Sequence, residues 1–196
     1  MENLGKSTIL QIRNMVSSRC ISLVQNVLEN TLNIEVEKVY LGAAQINNTK
    51  GNIDFIALQK KLQEHNFDLI YDKEMALLEA IKVAVLEMIY YGNNLNTIIR
   101  NSDYLSDKLD QPYSFLSKLF SEKTNTTLEK YIILVKIERV KELLSYNEMT
   151  LSEISYQMGY SSVQYLSNQF KQITSYSVSE YKSLVIKPRT SLDQLI

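Results

Sequence analysis

Few residues of this chain could bind a soft metal ion or act as a nucleophile. The stretch "RNMVSSRC", Arg13 to Cys20, holds the only cysteine of the 196 residues, with Met15 and Ser17 just before it. Thiolates and thioethers are soft ligands, whereas a serine hydroxyl is hard, protonated and poor. The segment is therefore either a metal-binding loop that lacks a ligand or an ordinary turn that contains a thiol. One cysteine cannot form an internal disulfide. "GKST", Gly5 to Thr8, looks like the end of a phosphate-cradling loop. That loop needs a second glycine upstream and a launching strand, so no nucleotide site is expected here. The single histidine, His65, falls late in a helical stretch and reads as a solvated residue remote from Cys20. There is no serine-histidine-acid set, no paired acidic site and no HExxH spacing, so neither an enzyme nor a cofactor is expected.

The elements that would position these residues fall into two parts, which change character near Asp72. The chain is 45% hydrophobic, enough for real cores in one large domain or two small ones. No run of about 20 apolar residues stands out as a membrane span, and no basic stretch leading into an apolar one suggests a signal segment. A soluble cytoplasmic protein without membrane attachment is the expectation.

In the first part, "STILQIRNM" predicts a strand and "SSRCISLVQNVLENTL" a helix, with Ile21, Val24, Val27 and Leu28 at helical spacing. "NIEVEKVYL" alternates like a strand, "AAQIN" follows a turn at Gly42, a helix begins near Asp54, and "FDLIY" closes the series. The order strand, helix, strand, strand, helix, strand over residues 1–72 implies a ferredoxin-like βαββαβ sandwich with helices on one face of the sheet. Such a sheet leaves one face open, for a second copy of the chain or for a ligand.

The second part, residues 73–196, reads as helix almost throughout. "KEMALLEAIKVAVLEMIYYG" is apolar on more than one face, with Gly92 as a C-terminal cap. Two short amphipathic segments, about Ser102 to Leu109 and Tyr113 to Glu122, are separated by "DQP". The pattern returns as Leu151 to Met158, a turn at Gly159, and a helix from about Ser162 to Ile173. "YSFLSKLF" aligns with "VQYLSNQF", so Leu116 and Phe120, and Leu166 and Phe170, fall on one stripe of each helix. Between the repeats, "TLEKYIILVKIERVKELLSY" is an uninterrupted helix of about 28 Å at the usual rise per residue. The overall expectation is an α+β chain whose second, all-α domain holds two helix-turn-helix motifs joined by a long helix.

Two resemblances sharpen this reading. The placement of "MVSSRC" between first strand and first helix resembles the heavy-metal-associated domain, whose loop runs Met-x-Cys-x-x-Cys. Met15 and Cys20 match that loop and Ser17 stands in place of its first cysteine, which implies a vestigial loop and no metal site. The run "LSEISYQMGYSSVQYLSNQFKQITSYSVSEYKSL" resembles the C-terminal half of the AraC-type DNA-binding domain, and the similarity extends over about residues 73 to 186. Ser106 and Ser155 stand where that family usually has alanine, Ser175 near its usual glycine, and Val178 in place of a common proline.

That second resemblance implies a transcription regulator with double-stranded DNA as partner. Carried over by position, Ser114, Ser117 and Lys118 would face base edges from the first recognition helix, and Gln164, Ser167 and Asn168 from the second. Lysine suits guanine acceptors, and glutamine or asparagine can bridge an adenine edge. From Asp72 to Ile196 the chain has 14 lysines and arginines against 15 acidic residues, so non-specific affinity should be modest. Lys118, Lys123, Lys130, Lys136, Arg139 and Lys141 outnumber the acids between Tyr113 and Lys141, and Lys123, Lys136, Arg139 and Lys171 are the candidate phosphate contacts. The alternative is a metal-handling or thiol-sensing protein whose helical domain supports oligomerisation. For the first domain, homodimerisation and the sensing of an unknown effector both stay open.

Overall fold

The computed structural model describes residues 7–32, 34–47, 53–92 and 100–196. Gly5 and Lys6 of "GKST" lie outside them, and Ser7 and Thr8 open the first strand. The chain divides into two compact units, Met1–Val83 and Ala84–Ile196.

The first unit runs β1 (Ser7–Arg13), α1 (Ser18–Asn26), β2 (Val36–Tyr40), β3 (Ala43–Asn47), α2 (Phe55–Gln63) and β4 (Asp68–Ile70). A π-helical turn, Val27–Thr31, extends α1 beyond a regular helix. The strands form one antiparallel sheet in the order β2-β3-β1-β4. Leu10 pairs with Ala44 and Ile12 with Leu69, so the apolar members of the alternating pattern share one face. There they close a core with Val24, Val27, Leu28, Leu58 and Leu62 from the helices. Each such aliphatic side chain contributes about 1.5–3 kcal/mol by leaving water.

Local signals set the element ends. Asp54 accepts hydrogen bonds from the amides of Ile56 and Ala57, each at 3.0 Å, and so fixes the start of α2. Gly42 turns β2 into β3 with φ +81°, a conformation that side chains disfavour. Beside the sheet, Asp68 pairs with Arg13 and accepts from Gln59 (2.7 Å) and Gln63 (2.9 Å). These contacts, the Gln63 hydrogen bond foremost, hold its carboxyl below the usual carboxylate range.

Helix α3 (Lys73–Tyr90) contains the division between the units. Its first half belongs with the sheet. The Glu79 carboxylate accepts from the Asn14 amide at 2.8 Å, and Val83 lies against Gly42. Gly92 follows α3 without the left-handed backbone expected of a capping glycine, but a Cβ there would come within 2.5 Å of the Met88 carbonyl oxygen. No described helix is long and apolar enough to cross a membrane.

The second unit continues with α4 (Asn101–Leu109), α5 (Tyr113–Thr124), α6 (Leu128–Tyr146), α7 (Leu151–Gln157), α8 (Val163–Thr174) and α9 (Val178–Ser183). Asp110, Asn125, Asn147 and Ser175 end four of these helices in the left-handed conformation. Thr150 with Glu153, and Ser177 with Glu180, form reciprocal capping boxes at the starts of α7 and α9. The molecule is thus a mixed α+β chain, with a small antiparallel sheet in one unit and a helical bundle in the other.

Candidate nucleic-acid interface

Two helix pairs, α4–α5 and α7–α8, are built from the same parts fifty positions apart. In α5, Leu116 and Phe120 are fully buried, as are Leu166 and Phe170 in α8. Phe120 packs on Tyr131 of α6 with ring centroids 5.2 Å apart, and Phe170 on Tyr181 of α9 at 5.3 Å. The Thr124 hydroxyl donates to the Phe120 carbonyl at 2.8 Å, and that of Thr174 to the Phe170 carbonyl at 2.7 Å. Thr127 and Ser177 then cap the next helices. Each pair's second helix is therefore joined to the following helix by one aromatic contact, while its threonine closes its own last turn, and its opposite face is left outward.

On those outward faces the expected residues keep equivalent positions. Ser114 and Lys118 of α5, and Gln164 and Asn168 of α8, are exposed, while Ser117 and Ser167 are half-buried. Lys118 extends with three-quarters of its side chain exposed and only a 3.9 Å approach to Glu122. Gln164 donates to the Asn168 side-chain oxygen at 2.9 Å, so the two amides act as one unit of donors and acceptors. Ser167 turns its hydroxyl onto the Val163 carbonyl at 2.9 Å, which leaves it free to accept rather than donate. Beside them stand two aromatics not singled out from the sequence, Phe115 and Tyr165, about half exposed. The signal for both was their place directly before the buried leucine of each aligned segment.

Residues 105–183 match the protein-family model described as "Helix-turn-helix domain". Over those residues the helical half of this chain is similar to a helix-turn-helix domain. An uncharacterized HTH-type transcriptional regulator in the cgkA 5′ region of Pseudoalteromonas carrageenovora is 29% identical over 131 residues, which are 65% of this chain and 75% of that protein. The Msm operon regulatory protein of Streptococcus mutans is 32% identical over 47% of this chain and 31% of its own length. The xylose operon regulatory protein of Escherichia coli K12 is 29% identical over 52% and 26% respectively. The chain therefore spans three quarters of the first relative and under a third of the other two. The crystal structure of the transcriptional regulator CdpR from Pseudomonas aeruginosa overlaps 92% of this chain and 56% of its own, at 12% identity and a TM-score of 0.43.

The cations from Lys118 to Lys141, with Lys171, divide into two groups. Lys118, Lys123, Lys130 and Lys171 are exposed. Lys136 and Arg139, expected on phosphates, are instead engaged within the protein. Lys136 donates to the Met158 carbonyl at 3.1 Å and lies 5.5 Å from the centre of the Tyr160 ring, and burial holds its ammonium below the usual lysine range. Arg139 pairs with Glu142 at 2.8 Å and covers the Tyr90 ring at 5.1 Å. Lys141 is buried against Glu138 at 2.5 Å. The reason is that α6 packs on several sides at once, so the long stems of these residues cross apolar surface before their charges find partners.

The thiol loop sits in the other unit. Met15 is fully buried in the core beneath the sheet, so its thioether packs rather than lining the loop. The Ser17 hydroxyl lies 3.5 Å from the sulfur of the half-buried Cys20 at the start of α1. No group of three or more potential acidic, histidine or cysteine metal ligands occurs among the described residues.

Proposed function

We propose that this chain is a sequence-specific, AraC-type transcriptional regulator that reads successive major grooves of double-stranded DNA with α5 and α8. The observation that carries the reading is the fifty-residue repeat. Two equivalent helices, anchored in the same way by Phe120 and Phe170, present equivalent exposed positions, and each helix pair acts as one helix-turn-helix motif. On this reading Ser114, Ser117 and Lys118 contact bases from α5, and Gln164, Ser167 and Asn168 from α8. The exposed Lys123, Lys130 and Lys171 hold phosphates. The DNA-binding domain lies within residues 84–196, and the unit that ends at Val83 is a ferredoxin-like domain related to heavy-metal-associated domains. The first domain serves dimerisation or signal sensing, and its Met15, Ser17 and Cys20 form a vestigial loop. The strand order β2-β3-β1-β4 with both helices against one face supports that assignment.

The test is selection of bound duplexes from a random pool, followed by anisotropy titration of the selected site. Lys118→Ala and Asn168→Ala should each weaken binding by about 1–3 kcal/mol with the fold intact. Undiminished binding by both variants would rule out α5 and α8 as the reading elements.

A further inference from the structure

Within the helical unit a cleft of about 420 Å³ opens between the two helix pairs, floored by one face of α6. Glu129, Ile132, Ile133 and Lys136 follow one another along that face, and Tyr160 and Tyr165 wall the side toward α8. The volume falls in the range of small-molecule sites. Its chemistry is ordered along the helix, with an acid at one end, two isoleucines in the middle and a base at the other.

Each end has unused hydrogen-bonding capacity. The Lys136 ammonium gives one hydrogen bond to Met158 and meets the Tyr160 ring. Among the described residues no acidic group pairs with this half-buried side chain. A buried cation without a counter-ion is costly, and an incoming anion removes that cost. Glu129 receives the Tyr113 hydroxyl on one carboxylate oxygen at 2.7 Å, and a carboxylate has room for further donors. Two helical turns separate Glu129 from Lys136, or roughly 10 Å along the axis.

We propose that this cleft binds a hydroxyaryl carboxylate, with its carboxylate on Lys136, its ring over Ile132 and Ile133 beside Tyr165, and its hydroxyl donating to Glu129. A dianion is disfavoured by Glu129, and a neutral ligand would leave Lys136 unpaired. The site goes beyond the DNA-binding reading and does not depend on it, because its test contains no DNA.

The experiment is calorimetric titration of the full chain with 4-hydroxycinnamate, whose hydroxyl and carboxylate span a comparable length. Comparators are 4-hydroxycinnamyl alcohol, which lacks the carboxylate, and cinnamate, which lacks the hydroxyl. Saturable one-to-one binding is expected. Loss of the carboxylate, or Lys136→Gln, should weaken it about tenfold or more, the scale of a hydrogen bond to a charged group. Ile133→Trp, which fills the floor of the cleft, should abolish it. Cinnamate should bind more weakly than 4-hydroxycinnamate. Absence of saturable binding by the parent protein, equal affinity for acid and alcohol, equal affinity for cinnamate, or unchanged binding by Ile133→Trp would each overturn the assignment. The two comparators keep the test decisive if Lys136→Gln does not fold.

Discussion

Phe170 meets Tyr181 edge to face, their ring centroids 5.3 Å apart, and both side chains are fully buried. The contact joins the second helix of the α7–α8 pair to α9, and Tyr181 also donates to the Pro188 carbonyl at 3.1 Å. Phe170→Ala should therefore lower unfolding free energy by about 3–5 kcal/mol. Tyr181→Phe, which keeps the ring and loses one hydrogen bond, should cost about 0.5–1.5 kcal/mol. Urea unfolding of both variants checks the ratio, and equal losses would mean that the hydroxyl rather than the ring contact carries the joint.

Salt dependence separates the exposed cations from those half-buried or buried along α6. If Lys123, Lys130 and Lys171 are the phosphate contacts, log affinity for a duplex should fall with log salt at a slope near −2.7, from about 0.9 per contact. All six cations from Lys118 to Lys141 on phosphates would give about −5. Anisotropy titrations across a salt series distinguish the two, and Lys136→Gln should leave the slope unchanged.

Ser175 ends α8 with φ 66°, and its amide donates to the Lys171 carbonyl at 2.9 Å. A left-handed backbone costs a non-glycine residue about 1–2 kcal/mol, part of which glycine returns through its greater freedom when unfolded. Ser175→Gly should raise stability by about 0.5–1 kcal/mol, read as a higher urea midpoint with an unchanged slope.

At the thiol loop, one soft ligand at Cys20 and a Met15 thioether committed to the core are too few to clamp Cu(I). The native chain should show no tight stoichiometric binding in competition with a chromogenic chelator. Ser17→Cys places a second sulfur at the position where the Ser17 oxygen now approaches Cys20, and affinity should rise by orders of magnitude. Tight binding by the native chain that disappears in Cys20→Ser would make the loop a working site.

Residues with a local signature were legible in the sequence. Asp54 announced the start of α2, and the repeated Leu-Ser-x-x-Phe spacing announced the buried stripes of α5 and α8. The longer reach of that repeat was not read, because Tyr131 with Tyr181, and Thr124 with Thr174, lie in segments of otherwise different composition. The intramolecular partners of Lys136 and Arg139 were illegible for a different reason. A helix buried on several faces has no single polar stripe, so charge alone did not reveal which cations turn toward protein. The cleft was illegible because its walls come from helices far apart in the chain, although Glu129 and Lys136 could have been placed on one face of α6 by counting.

The division between the units lies inside α3, between Val83 and Ala84, and this bears on how such proteins exchange parts. A recombination event, or a chimera joined at the end of β4, would give a foreign sheet the native Glu79 and Val83 while removing the Asn14 amide and Gly42 turn that they meet. The seam that preserves both partners runs through the middle of a helix, where heptad phase as well as chain length has to be kept. Exchange of the first domain among relatives should therefore favour junctions that carry the first half of α3 along with the sheet.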